Sequence, residues 1–263
     1  MVNFHVHSAS SDDCQYSMEA MLESAIDAGI KHICFTDHYD VNFPTTPEYN
    51  IETAIHTFNK LHKIFSHKIY LYLGIELGQP SENHEESLRL ISNENIDYVL
   101  GALHNLPDGE DFYFMDYANV ELDEMFNAYF DELINLCETY DIDTLAHICY
   151  PIRYLKRNRC QYDLNRYANK IEQLLKLLIK KEIALEINTS GIKTALKDTL
   201  PPRSILEKYY NLGGRLITIG TDAHRPVNIA TGLAESYQIA KEIGFKQIVI
   251  FKKRQKIFIN LDI

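Results

Sequence analysis

The chain has 263 residues, 46% of them hydrophobic, and a net charge of −11. It can bury a sizeable core, and its acidic balance argues against tight electrostatic binding to duplex nucleic acid, which needs a basic footprint. No apolar run approaches the ~20 residues of a membrane-spanning helix, Val2-Asn3-Phe4-His5-Val6-His7 carries no signal-peptide pattern, and five scattered cysteines without a Cys-x-x-Cys pair fit reduced thiols in a cytoplasm.

In chain order, strands alternate with helices. The first β-branched and aromatic run is Asn3–Val6. Met18, Met21, Leu22, Ala25 and Ile26 then follow helical spacing, and Gly29 is placed to stop that helix. His32–Thr36 is the second strand, followed by an apolar stripe of Ile51, Ala54, Ile55, Phe58, Leu61 and Phe65. Ile69–Ile75 and Tyr98–Ala102 come next, then a helix carrying Phe126, Phe130, Leu133 and Leu136. Thr144–Ala146 precedes a helix with Ile171, Leu174, Leu175 and Leu178. Ile183–Ile187 precedes a helix that Pro201-Pro202 opens and Gly213-Gly214 closes. Arg215–Ile219 and Gln247–Phe251 are the last strands. Repeated βα units imply a parallel sheet. Seven or eight such units, without repeats, low complexity or a break in composition, favour one barrel domain spanning 1–263. A doubly wound sheet is the alternative, but its first βα turn is normally Gly-rich and His7-Ser8-Ala9-Ser10 is not.

Polar residues recur at the strand ends. His5 and His7 close the first strand, and His38 follows the second. Glu76 closes the third, His104 follows the fourth and His147 the fifth, and Asp222 and His224 follow Arg215–Ile219. The C-terminal strand ends of a βα barrel converge on one face, where active sites sit. Imidazole suits zinc, iron or manganese, and carboxylates can bridge cations. Residues two apart on a strand point the same way, so His5 and His7 can share a site, as can Asp222 and His224. A lone histidine after a strand is more often a hydrogen-bonding loop residue. His32, His56, His62, His67 and His84 are read that way, because they lie on helix faces or in connections. His5-Val6-His7 alone supports either view; six strand ends carrying His, Asp or Glu favour metal. Asp12 and Asp13 fit a turn, a cap for the helix near Ser17, or an additional ligand, and spacing does not choose.

His5-Val6-His7, Thr36-Asp37-His38, Gly74-Ile75-Glu76, Ala102-Leu103-His104, Ala146-His147 and Gly220-Thr221-Asp222-Ala223-His224 resemble, in order and spacing, the polymerase-and-histidinol-phosphatase (PHP) superfamily over nearly the whole chain. The resemblance implies a distorted, TIM-like (βα)7 barrel holding two to three divalent ions of zinc, iron or manganese. By resemblance, His5, His7, Glu76 and Asp222 hold the first ion. Glu76 bridges to a second, held also by His104 and His147. His38, His224 and Asp13 hold a third, with Asp12 the alternative to Asp13. Within it, the chain looks most like the monofunctional histidinol-phosphate phosphatases, through Glu186-Ile187-Asn188-Thr189-Ser190-Gly191, Asp222-Ala223-His224-Arg225-Pro226, and Arg153 downstream of His147. The chain departs from them in reading His147-Ile148-Cys149-Tyr150-Pro151 where many have His-Leu-Asp.

The expected reaction is hydrolysis of a small phosphomonoester, L-histidinol phosphate, to L-histidinol and phosphate in histidine biosynthesis. Adjacent ions lower the pKa of a bridging water from ~15.7 toward ~7, and the hydroxide attacks phosphorus in line. Arg153 and Asp222 are the candidate catalytic residues; Arg153, Arg225 and Ser190 are the candidate substrate contacts. Arg153 could instead be a surface charge in a basic stretch with Lys156, Arg157 and Arg159. That stretch, with Tyr154, is also the one hint of the enzymatic alternative, a phosphoesterase acting on a nucleotide or oligonucleotide end. A non-catalytic metal-binding regulatory module is the alternative of another class, and it predicts missing ligands. Membrane partners are not expected, nucleic acid is disfavoured, and oligomeric state is not legible.

Overall fold

The structure, a computed structural model, describes residues 1–40, 49–107 and 109–261. Its strands are β1 (Val2–Val6), β2 (His32–Phe35), β3 (His38–Asp40), β4 (Tyr70–Gly78), β5 (Tyr98–Ala102), β6 (Thr144–Leu145), β7 (Ala184–Asn188), β8 (Ile217–Gly220), β9 (Gln247–Lys252) and β10 (Gln255–Asn260). Its helices are α1 (Met18–Asp27), α2 (Ile51–Phe65), α3 (His84–Ile91), α4 (Leu122–Thr139), α5 (Ile152–Arg157), α6 (Ala168–Lys181), α7 (Arg203–Asn211) and α8 (Leu233–Ile243). Local chemistry explains several boundaries. Ser17 accepts the Ala20 N–H at 3.2 Å and caps α1, so neither Asp12 nor Asp13 is needed there. Gly29 (φ 74°) and Gly213 (φ 99°) follow α1 and α7 in the left-handed conformation that ends helices.

The sheet runs β1-β2-β4-β5-β6-β7-β8, every pairing parallel. β3 continues beyond β2 and pairs with the second half of β4, bringing His38 opposite Glu76. Beyond β8, Asp222 donates its N–H to His5 O at 2.9 Å and His7 donates to Ala223 O at 3.1 Å. These bonds nearly close a seven-stranded barrel. Val2, Phe4, Val6, Ile33, Phe35, Ile75, Tyr98 and Leu185, all on its strands, belong to the buried core.

The eighth predicted strand does not join the barrel. Gln247–Lys252 pairs antiparallel with β10 as a hairpin. Lys253 and Arg254, both at positive φ, form its two-residue turn, and Asp97 accepts both of their N–H groups. With β1 already bonded to the segment after β8, the barrel offers no open edge there. The segment carrying Arg153 is the short helix α5.

Candidate metal centre

β1 turns His5 and His7 to the same side, as their spacing requires. Both are fully buried, and their Nε2 atoms face each other at 3.1 Å. Glu76 is the hub. Its Oε2 lies 2.9 Å from His38 Nδ1, 3.3 Å from His5 Nε2 and 3.5 Å from His7 Nε2. Its Oε1 lies 2.8 Å from His147 Nε2 and 3.3 Å from His104 Nε2. Asp222, left-handed at φ 56°, turns the chain so that its Oδ1 stands 3.3 Å from His7 and 3.7 Å from His5. His224 Nε2 reaches Asp13 Oδ2 at 3.0 Å and His38 Nε2 at 3.4 Å, and His38 Nε2 is 3.8 Å from Asp13 Oδ1. So His5, His7, Asp13, His38, Glu76, His104, His147, Asp222 and His224 all meet. Asp13 is the acid on the two histidines, while Asp12 lines the cleft nearby.

The donor set fits divalent cations. His38 Nδ1 and Glu76 Oε2 are buried 2.9 Å apart, and among the described residues neither has a well-aligned hydrogen-bond partner. Four overlapping groups of histidine and carboxylate atoms converge tightly enough to hold an ion: His7, His38 and His224; His5, His7 and Asp222; His5, Glu76 and His147; His38, Asp40 and His104. Electrostatics agrees. Burial alone would protonate Glu76, but His5, His38 and His104 hold it well below the usual carboxylate range. Burial alone would neutralise His5, yet Glu186, Glu76 and Asp222 hold its pKa well above the ordinary imidazole value. His104, with burial opposing, is pushed up to about 10 by Asp40 and Glu76. These carboxylates demand positive charge, and metal binding supplies it by displacing the imidazole protons.

A cleft of about 740 Å³ opens onto the cluster, lined by His38, His104, Asp222 and Arg153, with Tyr150 and Tyr113 among its aromatic wall. Arg153 donates to Asp222 Oδ2 at 3.2 Å and to the Ser190 hydroxyl, and its guanidinium lies 5.2 Å from the Tyr150 ring centroid. Its buried Nε has no hydrogen-bond partner among the described residues. Ser190 is thus a neighbour of Arg153 rather than a cleft-lining group. Arg225 is exposed and outside the lining. Of the basic stretch, Arg157 lines the cleft too, 4.8 Å from the Tyr113 ring centroid and 5.0 Å from that of Tyr154. The histidines set aside stay apart: His32 bonds the Tyr72 hydroxyl, His84 bonds the Tyr140 hydroxyl, and His56 and His62 lie on α2, with His67 just beyond it.

Several contributors were not singled out as site residues from sequence. Asp40 Oδ1 lies 3.1 Å from His104 Nδ1. Glu186 Oε1 lies 2.7 Å from His5 Nδ1. Ser11 Oγ lies 3.1 Å from His7 Nδ1 and donates to Asp37. Asp111 and Tyr113 line the cleft. Glu186 obeys the same strand-end rule as Glu76, so a signal for it existed.

Known proteins resemble this chain in sequence and in fold. The family model described as PHP domain matches residues 3–190. A protein of Clostridium acetobutylicum named "Probable histidinol-phosphatase" is 34% identical over 257 residues, covering 95% of this chain and 96% of its own length. One of the same name from Thermotoga maritima is 31% identical, with 97% of each covered. Among solved structures, the histidinol phosphate phosphatase of Lactococcus lactis, complexed with zinc, L-histidinol and phosphate, superposes with a TM-score of 0.83 at 24% identity, covering 97% of this chain and 98% of that one. At that identity the likeness speaks for the fold.

Proposed function

The chain belongs to the PHP domain family, and from that membership we propose that it is a metal-dependent phosphatase hydrolysing L-histidinol phosphate to L-histidinol and phosphate. One observation carries the proposal: the two oxygens of buried Glu76 face separate sets of histidines, His5, His7 and His38 on one side, His104 and His147 on the other. A carboxylate so placed suits a bridge between two cations. Two to three ions of zinc, iron or manganese are the expected complement, with His5, His7, Glu76 and Asp222 around the first, Glu76, His104 and His147 around the second, and Asp13, His38 and His224 around the third. When bound, such ions activate water and polarise the phosphoryl group. Arg153 supplies donors toward the phosphoryl oxygens at the floor of the cleft, and Asp222 keeps it there. Tyr113, Tyr150 and Tyr154 line the cleft and offer ring faces to an imidazole. Asp12 and Asp111 give the cleft an acidic lining suited to an ammonium-bearing leaving group. Free thiols at Cys14, Cys34, Cys137, Cys149 and Cys160 fit a reducing cytoplasm, and no helix among the described residues is long and apolar enough to cross a membrane.

The test is turnover of L-histidinol phosphate by metal-loaded protein beside a panel of nucleotides and oligonucleotides, with complementation of a histidine auxotroph lacking this phosphatase. Growth without histidine and preferential turnover of L-histidinol phosphate are expected. Failure to complement, with good turnover of a nucleotide, would overturn the substrate.

A further inference from the structure

We infer that Glu186 is a positioning residue that fixes two histidines of the metal centre at once, His5 through its ring and His147 through its backbone. This rests on the metal-centre proposal above and concerns a residue outside the proposed ligand set. Glu186 Oε1 stands 2.7 Å from His5 Nδ1. Its Oε2 accepts the His147 N–H at 2.8 Å and the Asn188 side-chain amide at 3.1 Å. On their other sides, His5 Nε2 faces Glu76 Oε2 at 3.3 Å and His147 Nε2 faces Glu76 Oε1 at 2.8 Å. The two histidines therefore sit between two buried carboxylates, Glu76 on the cluster side and Glu186 behind. Asp40 braces the His104 ring from its Nδ1 side.

An imidazole gives a metal the lone pair of one nitrogen and keeps a proton on the other, and the partner of that proton fixes tautomer and ring angle. With Nδ1–H donated to Glu186, the lone pair of His5 Nε2 is turned toward the cluster. Both oxygens of Glu186 are acceptors and all three partners are donors. The side chain is 1% exposed, so water cannot replace it. The backbone leaves it room only because residue 220 is glycine. A Cβ there would overlap both Glu186 Oε1 and the His5 Cβ.

Glu186→Gln separates this role from simple packing. The amide has one acceptor and one donor end. With its oxygen on His5, its NH2 confronts the His147 N–H, donor against donor. Flipped, the NH2 donates to Nδ1 and drives the proton of His5 onto Nε2, the nitrogen needed for metal. In either orientation metal retention suffers.

Zinc-loaded wild type and E186Q are challenged with excess chelator, and zinc release is followed with a colorimetric indicator. Thermal unfolding of the loaded and stripped proteins is recorded alongside. E186Q should release zinc at least ~10-fold faster, and the rise in Tm on zinc binding should shrink, while the stripped variant melts no lower than stripped wild type. E186D keeps the charge but falls one methylene short of spanning both partners; it should also release zinc faster, and it stands in if E186Q does not fold. Wild-type release rates in the folded variant would overturn the inference, as would equal losses of Tm in loaded and stripped forms. Wild-type protein that binds no zinc, iron or manganese would overturn the metal-centre proposal instead.

Discussion

Arg153→Ala removes a guanidinium that donates to Asp222 Oδ2 at 3.2 Å and stacks on Tyr150 at the floor of the cleft. Arg153 lines the cleft, where a guanidinium can turn its fork of N–H donors to a phosphoryl oxygen. A lost charged hydrogen bond is worth roughly 1.5–3 kcal/mol, and each ~1.4 kcal/mol is a factor of ten. The expected fall in kcat/KM for L-histidinol phosphate is therefore ~10- to 100-fold. Arg153→Lys keeps the charge but loses the planar fork, and should recover only part of that loss. Steady-state kinetics should show inhibition by free phosphate weakening in parallel, because product and substrate share the contact. Metal content, measured by elemental analysis, should hold, since Asp222 retains His5 and His7. Unchanged kcat/KM and unchanged phosphate inhibition in Arg153→Ala would refute the phosphate role. Metal lost in step with activity would show that the arginine acts through Asp222.

Elemental analysis of protein purified without chelator should find two to three equivalents of metal, and Glu76→Gln should lower that content and reduce turnover to background; full activity in excess chelator would contradict the centre. Asp143, pushed up to about 6 by burial despite Arg254 and the Val99 N–H, binds its proton more tightly folded than unfolded. Its contribution to stability therefore falls as pH rises from ~4 through 6. Urea midpoints across that window should decline more steeply for wild type than for Asp143→Asn, and an equal or shallower decline would rule this out. Burial raises the thiol pKa values of Cys14, Cys34, Cys137 and Cys149, whereas Cys160 is partly exposed. Native protein should thus react rapidly with a thiol reagent at Cys160 alone; fast labelling of Cys34 or Cys149, read by peptide mass, would count against this packing.

The parts of the centre that depend on local periodicity were legible in the sequence. A period of two puts His5 and His7 on one side of a strand wherever that strand lies, and a βα repeat puts His38, Glu76, His104, His147, Asp222 and His224 at ends that must converge. What depends on distance across the barrel was not. Spacing alone does not choose between Asp12 and Asp13, and the approach of His224 and His38 to Asp13 does. Arg153 and Arg225 were both plausible phosphate contacts; α5 brings the first into the cleft, and the turn after β8 leaves the second outside. Gln247–Phe251 has the composition of a barrel strand, but β1 already bonds the segment beyond β8, so it pairs with β10 instead. Glu186 stands near a strand end as Glu76 does, but its partner is not legible: His5 comes within 2.7 Å of it only when β1 closes beside β8. Composition and period set which way each residue faces along its own strand; barrel closure decides what it faces, because partners more than a hundred residues apart meet only when the last strand returns to the first.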